Sequence, residues 1–494
     1  MKFATKIDFN LVSLATKVWM ILLVAVLSLL TIMMVVNVGD GKYFLQHEDE
    51  AIYYCSAKLF AETNSIQAEG CNFEDVSPIG KINWYGPGYH VLYGTLFKIF
   101  GEHPPVFQWF HYLLSLVIVG LILTLPLNLE LRLAYATAIA LTQQFFVYVF
   151  TFFPESLMLF FATVLTVLLF HLSSYQNAKQ KKYQISFIIA CLVFALFRIT
   201  FVFWILGWVV LAKNRTSFFI RAFIFLIIFL GSLVYMKYFL APSYSSSVQK
   251  IEPLHQGLIF QFISETLHSI LNNLRLLFES SDIGNFLVIG FVAASCITLF
   301  IKREKILWPS TVISLALLVT FLGYYVVDEF FFLKQTAMLM PLLLLSLVIS
   351  YHAVKARYFI ILVLLCVFPS RLIMANKIIE KRRIEYDHRR EFSELESSFA
   401  KIPNYIREGP TVILWCYDEY DYGRSTESLL SFSTRAKQPI LYTTNVVAPD
   451  SPPETKFRTY NKLKIDYILS RSALNWPTLQ KIHSTPYFNL YEVK

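Results

Sequence analysis

The chain has 494 residues, of which 56% are hydrophobic and only 16% charged, against roughly 25% charged in an average soluble domain. With a mean hydropathy of +0.53, this excludes a soluble globular protein. The 45 Phe, the 17 Gly and the lack of alternating apolar segments exclude an outer-membrane barrel. The formal charge of +9 does not mark a nucleic-acid groove, because the Lys and Arg fall in short loops between apolar runs, where they set orientation.

A membrane core about 30 Å thick needs some twenty apolar residues to cross it. The run 18–36 meets that length, and no small-residue cleavage site follows it, so it reads as a retained first span. Further apolar runs at 106–127, 133–150, 156–172, 185–197, 201–211, 218–240, 286–301, 307–327, 331–351 and 358–374 bring the expectation to about eleven transmembrane helices. Alternate loops carry Lys2, Lys6 and Lys17, then Arg132, Lys179, Lys181, Lys182, Lys213, Arg215, Arg221, Lys302, Arg303, Lys305, Lys355 and Arg357. These belong on the cytoplasmic side. An odd number of spans starting inside then ends outside. Residues 375–494 are therefore expected as an extracytoplasmic domain, separate from a membrane domain over 1–374. Its strand-like segments TVILWCY, PILYTTN, DYILS and FNLYEV, with a helical RSTESLLSFSTRAK between the first two, predict a small α/β unit.

Two outer loops exceed simple turns. In the first, 37–105, Val91, Leu92, Leu96, Ile99 and Phe100 recur at helical spacing; in the second, 241–285, Leu258, Phe262, Ile263, Leu267, Ile270, Leu271, Leu274 and Leu277 do the same. Both predict interfacial helices, which either roof a cavity or anchor the loops to headgroups. Cys55 and Cys71 share the first loop, the one pairing that spacing offers among six scattered cysteines.

The candidate site starts at His47-Glu48-Asp49-Glu50, directly after the first span. The following residues read as a helix, whose macrodipole stabilises negative charge at its start and keeps a carboxylate ionised. An ionised carboxylate is a poor general acid but a good base, metal ligand or orienter of a hydroxyl. Capping of free backbone N–H groups is the competing reading. Glu155, after Pro154 at the outer end of a later span, places a second acid on the same side, and ionisable groups there are functional candidates by default. Its competing reading is also a helix start. Transfer of a sugar from a lipid phosphate fits ionised acids: phosphate leaves without protonation, the acceptor hydroxyl needs a base, and the departing phosphate needs a cation.

The order HEDEAIYYCSAKLF, NWYGPGYHVLYGTLFKIFG, FFPESLMLFFATVLTVLLF, EFFFLKQTAMLMPLLLLSLVIS and a C-terminal outer domain resembles the GT-C glycosyltransferases. Within them it is similar to the branch of protein O-mannosyltransferases and bacterial aminoarabinose transferases of lipid A. The resemblance implies a polyprenyl-phosphate-sugar donor, a lipid, glycan or protein acceptor, and a site facing the periplasm across a bacterial cytoplasmic membrane. It implies Asp49 as the first-loop catalytic acid, Glu50 as its acidic neighbour and Glu155 as the second acid. Lys334, upstream of Pro341, is implied at the donor phosphate. One departure is Gly86 before Pro87, where the aminoarabinose transferases carry a lysine. The charge is then expected from Lys81, Arg198, Lys334 or Arg371, with snorkelling to the interface as the other reading of each. Trp84, Tyr85, Tyr89 and His90 are candidates to stack on substrate, against an ordinary interfacial aromatic belt. His47 with Asp49 is the candidate pair for a divalent metal, the one cofactor expected.

Two other functions compete: a flippase or transporter of lipid-linked sugars, and a polysaccharide ligase or polymerase. A transporter is expected to show repeated halves with matching helix breaks, which the sequence lacks.

Overall fold

The computed structural model describes residues 13–38, 48–66, 82, 86–103, 105–174, 177–240, 258–279, 290, 293–294, 306–324, 336–350, 356–386, 412–417, 440–445, 466–470, 473–486 and 489–494. Among them, five helices are long and apolar enough to cross a membrane, or six if one bent pair counts as a span. The protein is a polytopic helical membrane protein. The expected span at 286–301 falls almost wholly outside the described residues.

Helix α1 (Leu14–Val38) is the first span. Two shorter helices follow it, α2 (Glu48–Thr63) and α3 (Pro87–Phe100). They pack on each other so closely that a Cβ on Gly94 of α3 would lie 2.8 Å from the Ala57 carbonyl of α2. Helix α3 begins with Pro87 in its first turn, where the missing N–H costs nothing. It ends at Gly101, whose φ of 88° lets its N–H return to the Phe97 carbonyl.

The next spans are α4 (Pro105–Leu123), then α5 (Leu129–Ala140) and α6 (Gln143–Phe146). The sequence predicts one straight helix over 133–150, and the structure corrects this: the chain bends by 70° between Leu129–Ala140 and Gln143–Phe150. Thr142 caps the break. Its hydroxyl donates to the Ile139 carbonyl at 2.7 Å and accepts from the Phe145 N–H at 3.3 Å. One side chain thereby satisfies backbone groups on both sides of the break, as a helix interruption within a membrane requires. A turn over 151–154 then feeds α7 (Glu155–Ser174), the most enclosed of the long spans. It packs against α4 and against α8 (Asn177–Ala195).

After α8 the chain does not form the straight short helix expected at 201–211. It makes a 3-10 turn over Ile199–Trp204 and the brief α9 (Ile205–Val210). Helix α10 (Arg215–Phe239) follows, its start capped by Asn214, whose side chain accepts the Ser217 N–H at 2.8 Å. The amphipathic helix expected in the second outer loop is α11 (Ile259–Glu279). It docks on α12 (Leu307–Tyr324) through Asn273, which donates to the Leu322 carbonyl at 2.7 Å. Helix α13 (Met340–Ser350) packs against α5 and α7, and the Tyr135 hydroxyl of α5 donates to the Pro341 carbonyl at 2.7 Å. Helix α14 (Ala356–Tyr386) runs on past position 374, where the sequence places the domain boundary.

The C-terminal strands are β1 (Val412–Tyr417), β2 (Ile440–Asn445), β3 (Tyr467–Ser470), β4 (Leu479–Ser484) and β5 (Asn489–Val493), in the order β2-β1-β3-β5-β4. Strand β1 is parallel to β2 and β3, and β5 is antiparallel to β3 and β4. Four of the five coincide with segments that read as strands; β4 was not expected. The helix expected in RSTESLLSFSTRAK lies outside the described residues.

Candidate active site

The acidic stretch stands where its sequence places it, with Glu48, Asp49 and Glu50 as the first three residues of α2. The side chains of Glu48 and Asp49, and His47, Lys81, Trp84, Tyr85 and Lys334 entirely, lie outside the described residues. Glu50 is fully buried, and its carboxylate accepts the Phe152 N–H at 2.7 Å.

The other acid, Glu155, opens α7 and is also fully buried. Arg198 approaches it to 4.0 Å from the break after α8. The arginine is positioned from outside by a tight seat. A Cβ on Gly86, at φ 91°, would fall 2.3 Å from the Leu196 carbonyl oxygen, and one on Gly88 would fall 2.6 Å from the Phe197 ring. The Gly88 N–H donates to the same Leu196 carbonyl at 3.1 Å. The start of α3 therefore lies directly on residues 196–197, and Arg198 is next in the chain. Only glycine permits both that φ and that approach.

Aromatic rings line this region. Tyr89 packs edge-on against Tyr53 of α2 at 5.1 Å and Phe197 at 5.4 Å, and its hydroxyl meets the Met158 sulfur at 3.4 Å. Burial pushes the Tyr89 phenol well above its ordinary pKa; Arg198 opposes that shift and Glu155 adds to it. His90 is buried, and its Nδ1 has no hydrogen-bond partner among the described residues. Burial lowers its pKa to about 4, which keeps it neutral at physiological pH. Tyr93 joins the cluster from one turn further along α3, its hydroxyl 2.9 Å from His111 Nε2 on α4.

The structure thus brings Glu155, Arg198 and Tyr89 together, with Glu50 tied to the turn before Glu155. Arg371 is buried on α14. Its neighbours Phe368 and Met374 meet Phe146 and Gln143 of α6. Three participants escaped the sequence: Phe152, whose role is a backbone N–H; Tyr53; and the Gly86 and Gly88 seat. The motif Gly-Pro-Gly was visible, but its partner is 110 residues away.

Among the described residues, no group of three or more His, Cys, Asp or Glu gathers to hold a metal. The two acids of this site already face other partners, Glu50 a backbone donor and Glu155 a guanidinium. Cys55 is disulfide-bonded, its partner lying outside the described residues, while Cys191 and Cys366 are free thiols.

No family model matches the chain, and no curated protein matches it in sequence. Solved structures do match in fold. The oligosaccharyltransferase of Archaeoglobus fulgidus, in complex with Zn and sulfate, aligns at a TM-score of 0.55 and 14% identity over 91% of this chain and 68% of its own. ArnT from Cupriavidus metallidurans, bound to undecaprenyl phosphate, aligns at 0.52 and 11% identity over 96% of this chain and 98% of its own. In its apo state it aligns at 0.51 and 11% identity over 97% and 98%. The chain has the GT-C fold. ArnT matches it almost end to end.

Proposed function

We propose that the protein is a GT-C glycosyltransferase that moves a sugar from a polyprenyl-phosphate donor to an acceptor at the outer face of the membrane, with inversion. The observation that carries this is the buried Glu155 and Arg198 pair, gathered with Tyr89 under α2 and α3 on a GT-C fold. The undecaprenyl phosphate held by ArnT supports the donor class.

In the proposed reaction Asp49, at the start of α2, takes the proton of the acceptor hydroxyl as its oxygen attacks the anomeric carbon. The bond from that carbon to the phosphate oxygen breaks, and the electron pair leaves with the polyprenyl phosphate. One displacement from the opposite face inverts the anomeric centre. Arg198 offers its guanidinium to the departing charge, and Glu155 holds that guanidinium in place. Lys334, Lys81 and Arg371 are the further candidates to meet the donor phosphate; Tyr85, Tyr89, His90 and Trp84 are candidates to meet sugar or lipid. A divalent metal, if one acts, falls to Asp49 and His47. The acceptor is a lipid, glycan or protein.

The topology belongs to the same proposal: about eleven spans, the active site and an α/β domain over 375–494 facing the periplasm or its equivalent, and a membrane domain over 1–374. The disulfide at Cys55 supports an oxidising side for α2.

The test is transfer of label from radiolabelled polyprenyl-phosphate sugars to an acceptor fraction by purified protein. Wild type is expected to transfer and Asp49→Asn to fall to background. Full transfer by Asp49→Asn would sink the base assignment, and label that crosses vesicles without reaching an acceptor would favour a flippase.

A further inference from the structure

Glu50 stands beside the proposed base, yet its surroundings are unlike those of a proton acceptor. Its side chain is sealed from solvent, and Oε1 is committed to the Phe152 N–H at 2.7 Å, 102 residues away in the chain. Its bond crosses to the turn over 151–154, outside its own helix. Keeping a carboxylate buried is unfavourable without a strong donor, and a charge-assisted bond to a backbone N–H is such a donor.

Phe152 is a meeting point. Its ring lies 3.9 Å from Phe107 of α4, 5.4 Å from Tyr54 of α2 and 6.3 Å from Tyr93 of α3, centroid to centroid. Ring packing fixes where the residue sits but tolerates rotation of its peptide plane, because apolar contact has no direction. The bond to Glu50 fixes that plane. Three residues later, past Pro154 with its restricted φ, the same backbone presents Glu155 to Arg198. One residue before Glu50, α2 presents Asp49.

We infer that Glu50 is a positioning residue that sets the spacing between Asp49 and the Glu155 and Arg198 pair by pinning the start of α2 to the Phe152 backbone. The role rests on the transfer reaction proposed above. It needs an acceptor oxygen more than a charge, so an amide replaces the carboxylate in part. Loss of the bond lets the two halves of the site drift, and displacement by about 1 Å costs a reaction on the order of a hundredfold.

The experiment uses the full chain in detergent or lipid, with Glu50→Gln, Glu50→Ala and Asp49→Asn. It reads transfer kinetics, the thermal midpoint, and hydrogen exchange of a peptide covering Phe152. Glu50→Gln is expected to keep transfer within about tenfold of wild type, and Glu50→Ala to lose about a hundredfold in kcat with a nearly unchanged donor KM. Exchange at Phe152 is expected to rise in Glu50→Ala and to a lesser degree in Glu50→Gln. A Glu50→Gln protein as inactive as Asp49→Asn would make the Glu50 charge itself essential and overturn the inference. So would unaltered exchange at Phe152 in Glu50→Ala, or a kcat loss that only tracks the fraction unfolded. A wild type with no transfer but the same exchange response would reject the transfer reading while leaving the pin between α2 and the turn in place.

Discussion

Glu155 and Arg198 approach to 4.0 Å between the start of α7 and the break after α8, both enclosed, at 0% and 7% exposure. Neither residue's sequence neighbours advertise the other. In the proposed reaction this guanidinium is the cation that meets the departing phosphate. Removing one member leaves the other's buried charge less compensated, a change that typically costs 3–5 kcal/mol, and well-packed apolar replacement of both can cost less. Arg198→Ala and Glu155→Gln are each expected to lower both the thermal midpoint and transfer. Arg198→Lys is expected to recover folding but only part of the transfer, because lysine lacks the planar fork. A double-mutant cycle with additive effects would show the pair to be uncoupled.

The glycine seat predicts a second effect. Gly86→Ala forces a Cβ to 2.3 Å from the Leu196 carbonyl at a φ of 91°. Strain of that kind costs on the order of 1–3 kcal/mol. The displaced segment carries Arg198, so transfer is expected to fall by more than the loss of folded protein explains, when both are measured on the same preparation. A lysine before Pro87, as the aminoarabinose transferases have, meets the same obstacle.

His90 predicts a pH dependence. Its folded pKa, about 4, lies below the ordinary value of 6.5. The unfolded chain therefore binds the proton more readily, and the stability held above pH 6.5 is lost as the pH falls toward 4. The full shift corresponds to roughly 3 kcal/mol. Thermal midpoints taken between pH 7 and 4.5 are expected to drop more steeply for wild type than for His90→Phe. Parallel curves would remove His90 as the cause.

Tyr93 and His111 form a buried hydrogen bond at 2.9 Å. Tyr93→Phe strands the His111 nitrogen away from water, an outcome that costs roughly 1–3 kcal/mol. The double variant Tyr93→Phe with His111→Phe is expected to recover part of that loss, since neither polar member of the pair then remains. Denaturation of the three variants checks it.

Metal removal tests the electrostatics. A guanidinium already faces Glu155, and Glu50 already has a backbone donor. Transfer is accordingly expected to survive incubation with EDTA. Loss of transfer that returns with an added divalent ion would instead place a metal at Asp49 and His47.

The Thr142 bend and the Glu50 bond mark the limit of what could be read from the chain. Hydropathy reports length and apolarity, so 133–150 reads as one span; the hydroxyl of Thr142 that caps the break is a local detail that a window average erases. Glu50 reads as a helix-start acid because sequence spacing shows only its own helix. Its partner is a backbone N–H, and every residue but proline carries one.

Composition and periodicity were enough to determine a polytopic helical membrane protein with acids at the starts of two of its helices, helices between its spans and strands near its end. Those features follow from transfer energies and local geometry, which each segment carries alone. Tertiary structure decided the rest: that Arg198 faces Glu155, that two glycines seat the start of α3 on Leu196 and Phe197, and that Glu50 faces inward to Phe152. Such contacts depend on segments about forty to one hundred and ten residues apart meeting in a packed interior. No local property of either segment specifies the meeting.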